Sequence, residues 1–321
     1  MIRNPIIAII DSGIEYSVPF QRKILGGISF YIKNDNLYSS DDISDECGHG
    51  TNCAYIINKY CPNIMLYIIK IIDSTNKCSS LLLFEALKHL IRVDVDIINI
   101  SLSVNGNSFA DEISKVIAKL YSQGKYIIVS VENGAENSFP ANNEKCLGVA
   151  GKIMKKNLYY FNRNSPIQII TDSTPEFSIG LKNKYNWFGS NSKATALMSS
   201  KVAELMIKYK SSNKLQFLNV LKKHSANIDS SNDEFMKVPE NIELNKKEVE
   251  ILKKVKSIFL KYMFNNNCET IFVEEGFNLK NSYEFINECE QILGIKINKD
   301  EIKIEYFYNF KTLIHYISSY I

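Results

Sequence analysis

A histidine, His49, stands between two glycines in GHGTNCA, residues 48–54, at the head of an apolar run. Its ordinary pKa lies near neutrality, so it is suited to taking up and returning a proton. Such a base needs a group to orient it and a group to act upon. Asp11 closes the apolar run PIIAIID, Ser101 follows VDIINI, and Asn133 follows KYIIVSVE. Ser192 lies early in GSNSKATALM, where small residues crowd together. A serine hydroxyl becomes a useful nucleophile only when a base removes its proton as it attacks. Asp11, Ser101 and Asn133 have acid–base or hydrogen-bonding capacity, and the open N–H groups of a helix start near Ser192 suit a developing anion. Asp11 and Asn133 also fit a plain turn role beside a nearby glycine, so neither carries the reading alone.

The elements that would bring these residues together follow from the apolar pattern. PIIAIID, IMLYIIKIID, VDIINISLS and KYIIVSVEN are continuous apolar runs, the pattern of strands buried on both faces. Between them, SSLLLFEALKHLIR, with Ser80 placed to cap, and DEISKVIAKLYSQG, stopping at Gly124, read as helices. Strands alternating with helices predict an α/β fold, a parallel sheet with helices on both faces and right-handed crossovers. Sites in such sheets gather at the carboxyl ends of the strands. A later helix runs through GSNSKATALMSSKVAELMIKYK, with Leu197, Met198, Val202, Leu205 and Met206 at helical spacing. Residues 229–246 are polar, carry a proline and read as a linker. They separate a domain of residues 1–235 from a smaller one of residues 246–321.

These motifs, in this order, resemble serine proteases of the subtilisin type (subtilases, peptidase family S8). IAIIDSGIE resembles the family's aspartate segment, GHGTNCA its histidine segment, and INISLS the strand that pairs with substrate backbone. VSVENGAENSFPA resembles the oxyanion asparagine segment, and SNSKATALM the nucleophile helix. The resemblance covers about residues 5–228 and implies a parallel-sheet subtilisin-like domain. It implies that Ser192 attacks the scissile carbonyl, His49 acts as base and then acid, Asp11 holds the imidazole, and Asn133 binds the oxyanion. Ser101, Leu102 and Ser103 match one wall of the pocket for the residue before the cut. Glu132 stands where the family usually has glycine; a side chain reaching that pocket would favour Lys or Arg, and the other reading is a solvated carboxylate. The glycines around His49 allow its backbone to start a helix in a crowded place. Cys53, one turn later, should lie beneath the imidazole, as a small buried hydrophobe or a point of thiol sensitivity.

The nucleophile segment departs from the family's Gly-Thr-Ser-Met-Ala-x-Pro, reading Ser190-Asn191-Ser192-Lys193-Ala194-Thr195-Ala196. Asn191 can still donate to an oxyanion. Lys193 puts a positive charge near a helix start, where the dipole disfavours it. Asp11 comes too early to leave room for the signal and inhibitory segment of secreted relatives, so the expectation is a cytoplasmic enzyme that matures a particular peptide or precursor, as by leader removal.

Residues 246–321 resemble the latter part of an acyl- or peptidyl-carrier domain, a small helical bundle. The resemblance rests on YEFINECEQIL, the following GIKIN and a final FKTLIHYI. The family's attachment serine is replaced by the run Asn278-Leu279-Lys280, and Ser282 is the nearest hydroxyl. The expected role is recognition, docking a biosynthetic partner or a leader peptide; the alternative is an unrelated helical bundle.

Composition bounds the remainder. The chain has 321 residues, 45% hydrophobic and 23% charged, with net charge +3, too small a surplus to argue for nucleic acid. No run approaches a membrane-spanning helix. Seven cysteines without a Cys-x-x-Cys pair suit reduced, buried thiols, and Cys47, His49 and Cys53 match no common zinc spacing. No cofactor is expected; calcium is possible but unassigned, with the acidic DDISDE (41–46) as a cation loop or a solvated one. Two other readings are a scaffold of this type that only binds, and a triad that transfers or releases a carrier-bound acyl chain.

Overall fold

Side chains alternate across a strand, so an unbroken apolar run must meet helices on both sides. The structure, a computed structural model, describes residues 3–73, 78–102, 108–135, 138–154, 158–209, 214–226, 242–262 and 278–321. In β1 (Ile6–Asp11), Ala8 and Ile10 join one core cluster. With them are Leu83 and Leu87 of α2 (Ser80–His89) and Ile113 and Ile117 of α3 (Ala110–Ser122). Ile7 and Ile9, fully buried, point the other way. α1 (His49–Tyr60) and α4 (Ser190–Tyr209) pack together, α1 also against β1. The N-cap of α2 is Ser79, whose side chain accepts from Leu82 N–H at 3.3 Å; Ser80, expected in that place, is the first helical residue and buried.

The nine described strands of the main sheet run, edge to edge, β3 (Asn36–Ser40), β2 (Ile24–Lys33), β4 (Met65–Lys70), β1, β5 (Ile97–Ile100), β6 (Tyr126–Ser130), β7 (Leu147–Lys152), β9 (Ile169–Asp172) and β8 (Tyr159–Phe161). Pairings from β2 through β9 are parallel, and each edge closes with an antiparallel partner. Of the edge strands, β3, β8 and β9 have only five, three and four residues and β2 is interrupted by Gly26 and Gly27, so no unbroken apolar run marked them. α4 packs against β5, β6 and β7. Their carboxyl ends therefore meet its first turn.

The chain divides into two compact units. The first comprises Met1–Thr174, Ile179–Asn183 and Gly189–Asp233 and contains the sheet just described. The second comprises Pro175–Ser178, Lys184–Phe188 and Glu234–Ile321. It thus includes two mid-chain segments that a domain of residues 246–321 omits. The linker expected at 229–246 falls largely on residues 227–241, which lie outside the described residues.

In the second unit, α5 (Lys246–Lys261), α6 (Ser282–Leu293) and α7 (Phe310–Ser318) enclose a core of Val255, Phe285, Ile286, Ile314 and Ile317. Phe177 and Trp187, from β10 (Glu176–Ile179) and β11 (Tyr185–Phe188), complete it. Ser282 is 1% exposed; its Oγ accepts from Trp187 Nε1 at 3.0 Å and donates to Leu279 O at 2.8 Å. This hydroxyl is committed to the core and presents no attachment point.

Candidate active site

The aspartate–histidine pair is built at the end of β1. Asp11 is fully buried, and its Oδ1 accepts from Ser12 N–H at 2.8 Å and lies 2.7 Å from His49 Nδ1. Oδ2 accepts from the Cys53 thiol at 3.6 Å. The His49 side chain keeps 30% of its surface exposed. Burial pushes its pKa down, but the Asp11 carboxylate and the neighbouring Cys53 outweigh that and hold it well above the ordinary imidazole value. Burial, reinforced by Asp11, pushes the Cys53 thiol up to about 11, so it stays protonated at neutral pH. It sits one helical turn after His49, as the spacing implied.

His49 is the first residue of α1, and the loop before it is locked. Gly48 takes φ +84°, a left-handed conformation open to glycine. A Cβ on Gly50 would lie 2.3 Å from Gly13 O and 3.2 Å from Asp11 Cβ, so glycine there lets the helix approach β1. Asp45 was not read as part of the site from the sequence. Its carboxylate accepts from Ser12 Oγ (2.9 Å), Cys47 N (3.0 Å), Gly48 N (2.8 Å), Thr51 N (2.9 Å) and Thr51 Oγ1 (2.6 Å). Burial pushes its pKa up, but these donors outweigh it and hold it below the ordinary range. The signal was an aspartate before a glycine-initiated helix, the place where a carboxylate meets open N–H groups.

In the acidic run 41–46, Asp41, Asp42 and Glu46 are exposed, as a solvated loop requires, while Asp45 is drawn inward. Besides Asp45, Asp42 Oδ1 accepts from Ser44 N–H at 2.9 Å and Glu46 pairs with Lys70 at 2.8 Å. Cys47 is exposed, and the metal-competent atoms that cluster among the described residues belong instead to Asp11, His49 and Cys53. Those atoms are already engaged with one another.

Ser192 stands in the first turn of α4, 7% exposed. Its Oγ donates to Ser101 O at 3.2 Å, and Ser101 Oγ donates to Ser192 O at 3.4 Å. Asn99 Nδ2 donates to Ser101 Oγ at 2.9 Å, and Ser199 Oγ donates to Asn99 Oδ1 at 2.8 Å. β1 and β5 are adjacent, so the pair on β1 and the serine docked on the residue after β5 share one rim of the sheet. Ser101 and His49 both lie within hydrogen-bonding reach of Cys53. Leu102 is buried at the same strand end, whereas Ser103 lies outside the described residues.

Asn133 and Glu132 are exposed on the loop after β6. Asn133 Oδ1 accepts from Asn191 N–H at 3.4 Å, which leaves its Nδ2 without an acceptor among the described residues. The Asn191 side chain, expected to donate to an oxyanion, is already used: Nδ2 donates to Val131 O (3.0 Å) and Glu132 O (3.5 Å), and Oδ1 accepts from Gly151 N–H (2.7 Å). Lys193 also departs from expectation. Its ammonium does not face the helix start in isolation; it is fully buried in an ion pair with Asp172, itself fully buried at the end of β9. Asp172 Oδ1 further accepts from Thr174 N–H at 3.0 Å and Thr174 Oγ1 at 2.5 Å.

A model of the subtilase family matches residues 3–240. Subtilisin DY of Bacillus licheniformis is 24% identical over 244 residues, covering 71% of this chain and 86% of that protein. Subtilisin amylosacchariticus of Bacillus subtilis subsp. amylosacchariticus is 31% identical over 144 residues, 42% of this chain and 35% of its own. Among solved structures, a cold-adapted subtilisin-like serine proteinase superposes with TM-score 0.57 at 16% identity, over 72% of this chain and 85% of its own. Sphericase gives TM-score 0.58 at 17% identity, over 69% and 83%. The chain belongs to the subtilase family and is a serine endopeptidase. No helix among the described residues is long and apolar enough to cross a membrane.

Proposed function

We propose that this chain cleaves peptide bonds with Asp11, His49 and Ser192 as its triad and Asn133 as oxyanion donor, and that its substrate is one peptide or protein precursor. The observation that carries the reading is the 2.7 Å contact of His49 Nδ1 with a fully buried Asp11 carboxylate. That bond turns the other ring nitrogen, Nε2, toward proton transfer.

In the reaction, Ser192 Oγ attacks the scissile carbonyl carbon while its proton passes to His49 Nε2. Asp11 stabilises the imidazolium that forms. The carbonyl oxygen, now an anion, is met by Asn133 Nδ2 and by the backbone N–H of Ser192, an open donor in a helix first turn. His49 then protonates the leaving amine. A water molecule, deprotonated by the same imidazole, releases the acyl group and restores the serine. Ser101 and Leu102 form one wall of the pocket for the residue before the cut, with Ser103 assigned to it by sequence. Glu132 makes no side-chain bond among the described residues, so its carboxylate is available to pair with Lys or Arg in a substrate.

The cellular setting proposed is the cytoplasm, where selectivity for one precursor, such as leader removal, would limit general proteolysis. The C-terminal helices are proposed as a carrier-like recognition module for a leader or a biosynthetic partner. Mass spectrometry of a peptide library digested by the full chain tests the assignment. Free-acid products with Lys or Arg before the cut, a preference lost in Glu132→Gln, are expected. Amide or cyclic products would replace hydrolysis by acyl transfer.

A further inference from the structure

We propose that Asn191 is a positioning residue whose carboxamide fastens the loop presenting Asn133 to the helix presenting Ser192. The inference rests on the roles assigned to those two residues in the proposed function.

A carboxamide carries an acceptor and two donors in one plane, and here both ends are used on backbone. Oδ1 takes the N–H of Gly151 at 2.7 Å, in β7. Nδ2 gives to Val131 O at 3.0 Å and reaches Glu132 O at 3.5 Å, just after β6. β6 and β7 are neighbours, so one side chain from α4 ties together the carboxyl ends of two strands. The main-chain N–H of Asn191 adds the 3.4 Å bond to Asn133 Oδ1, which settles that the NH2 end of Asn133 is its open donor.

The surroundings are shaped around this arrangement. Ser190 holds φ +66°, and its N–H donates to Ser173 O at 3.2 Å. A left-handed backbone is strained for a serine, so neighbouring contacts must maintain it. At Gly151 a Cβ would lie 2.5 Å from Ser173 Cβ and 2.9 Å from Asn191 Oδ1. Glycine there allows the carboxamide its close approach. A threonine at 191, as in the usual family motif, offers one donor hydrogen in place of two, on the same atom that would have to accept from Gly151. An aspartate keeps the acceptor but sets a carboxylate oxygen against two carbonyls.

The test compares the native full-length chain with Asn191→Thr and Asn191→Asp. It measures kcat and KM on a cleaved peptide, and hydrogen exchange at the amides of residues 131–134. Loss of positioning predicts kcat lower by on the order of 10²-fold in both variants, with KM within about threefold. Exchange at 131–134 should rise in both. Native kcat in Asn191→Thr would overturn the inference, as would a fall in kcat with exchange unchanged, since the side chain would then act directly on the reaction. An inert native chain would remove the hydrolase reading instead; exchange alone then decides, faster in the variants if the fastening is real and unchanged if it is not.

Discussion

His49 and Ser192 both sit in the first turn of a helix that must meet the sheet rim, yet the two helix starts are secured by different means. At His49 the device is polar and part-exposed: a left-handed glycine, a second glycine against β1, and one carboxylate, Asp45, taking five donors. At Ser192 it reaches inward: an exposed left-handed serine, a half-buried carboxamide spanning two strand ends, and the Lys193–Asp172 ion pair with neither side chain exposed. Glycine satisfies a crowded turn cheaply and leaves a short, recognisable pattern. The second solution uses side chains whose partners lie 21, 40 and 60 residues away. It stiffens the nucleophile but depends on every partner being present.

The comparison can be broken first at Asp11, which serves the His49 side alone. Asp11→Asn should lower kcat by about 10⁴-fold, because the wrong tautomer is favoured. Reaction requires neutral imidazole, so activity falls as pH drops through the His49 pKa. With that pKa raised by Asp11, the acid limb of kcat/KM should lie above the ordinary value of about 6.5 in the native chain. It should move down in the variant, where burial remains and the carboxylate does not.

Next in size is the buried pair beside Ser192. Lys193→Met leaves Asp172 buried without its cation and should cost about 3–5 kcal/mol in denaturant unfolding. Adding Asp172→Val removes the stranded charge and should return most of that loss. If the single change proved harmless, the second helix start would not depend on its ion pair.

The smallest effect is expected at Asp45. Asp45→Asn loses part of the five-donor network and should cost about 1–3 kcal/mol near neutral pH. The folded pKa of Asp45 is depressed, so its contribution is complete above the ordinary aspartate value of about 3.9 and is lost as pH falls through the folded one. The difference in melting temperature between native and variant should therefore shrink toward low pH.

The same contrast explains what could be read from the chain alone. Strand ends at Asp11, Ser101 and Asn133 were legible because long apolar runs stop there, and GHGT is local punctuation. The edge hairpins were missed because β3, β8 and β9 are too short, and β2 too broken by glycines, to show a sustained apolar run. Asp45 was misread because an acidic run looks solvated until its donors are placed. Asn191 and Lys193 were noticed only as departures: their meaning lies in Gly151, Val131 and Asp172, which no local pattern connects to them. In the second unit, Ser282 was legible only as the hydroxyl nearest a missing attachment serine; its bond to Trp187, from the middle of the chain, was not.

The most direct measurement is reaction of the folded chain with a fluorophosphonate probe, followed by peptide mapping. The account predicts a single adduct on Ser192, absent in Ser192→Ala and sharply slowed in Asp11→Asn. No adduct on a folded native chain, or labelling that survives Ser192→Ala, would contradict it.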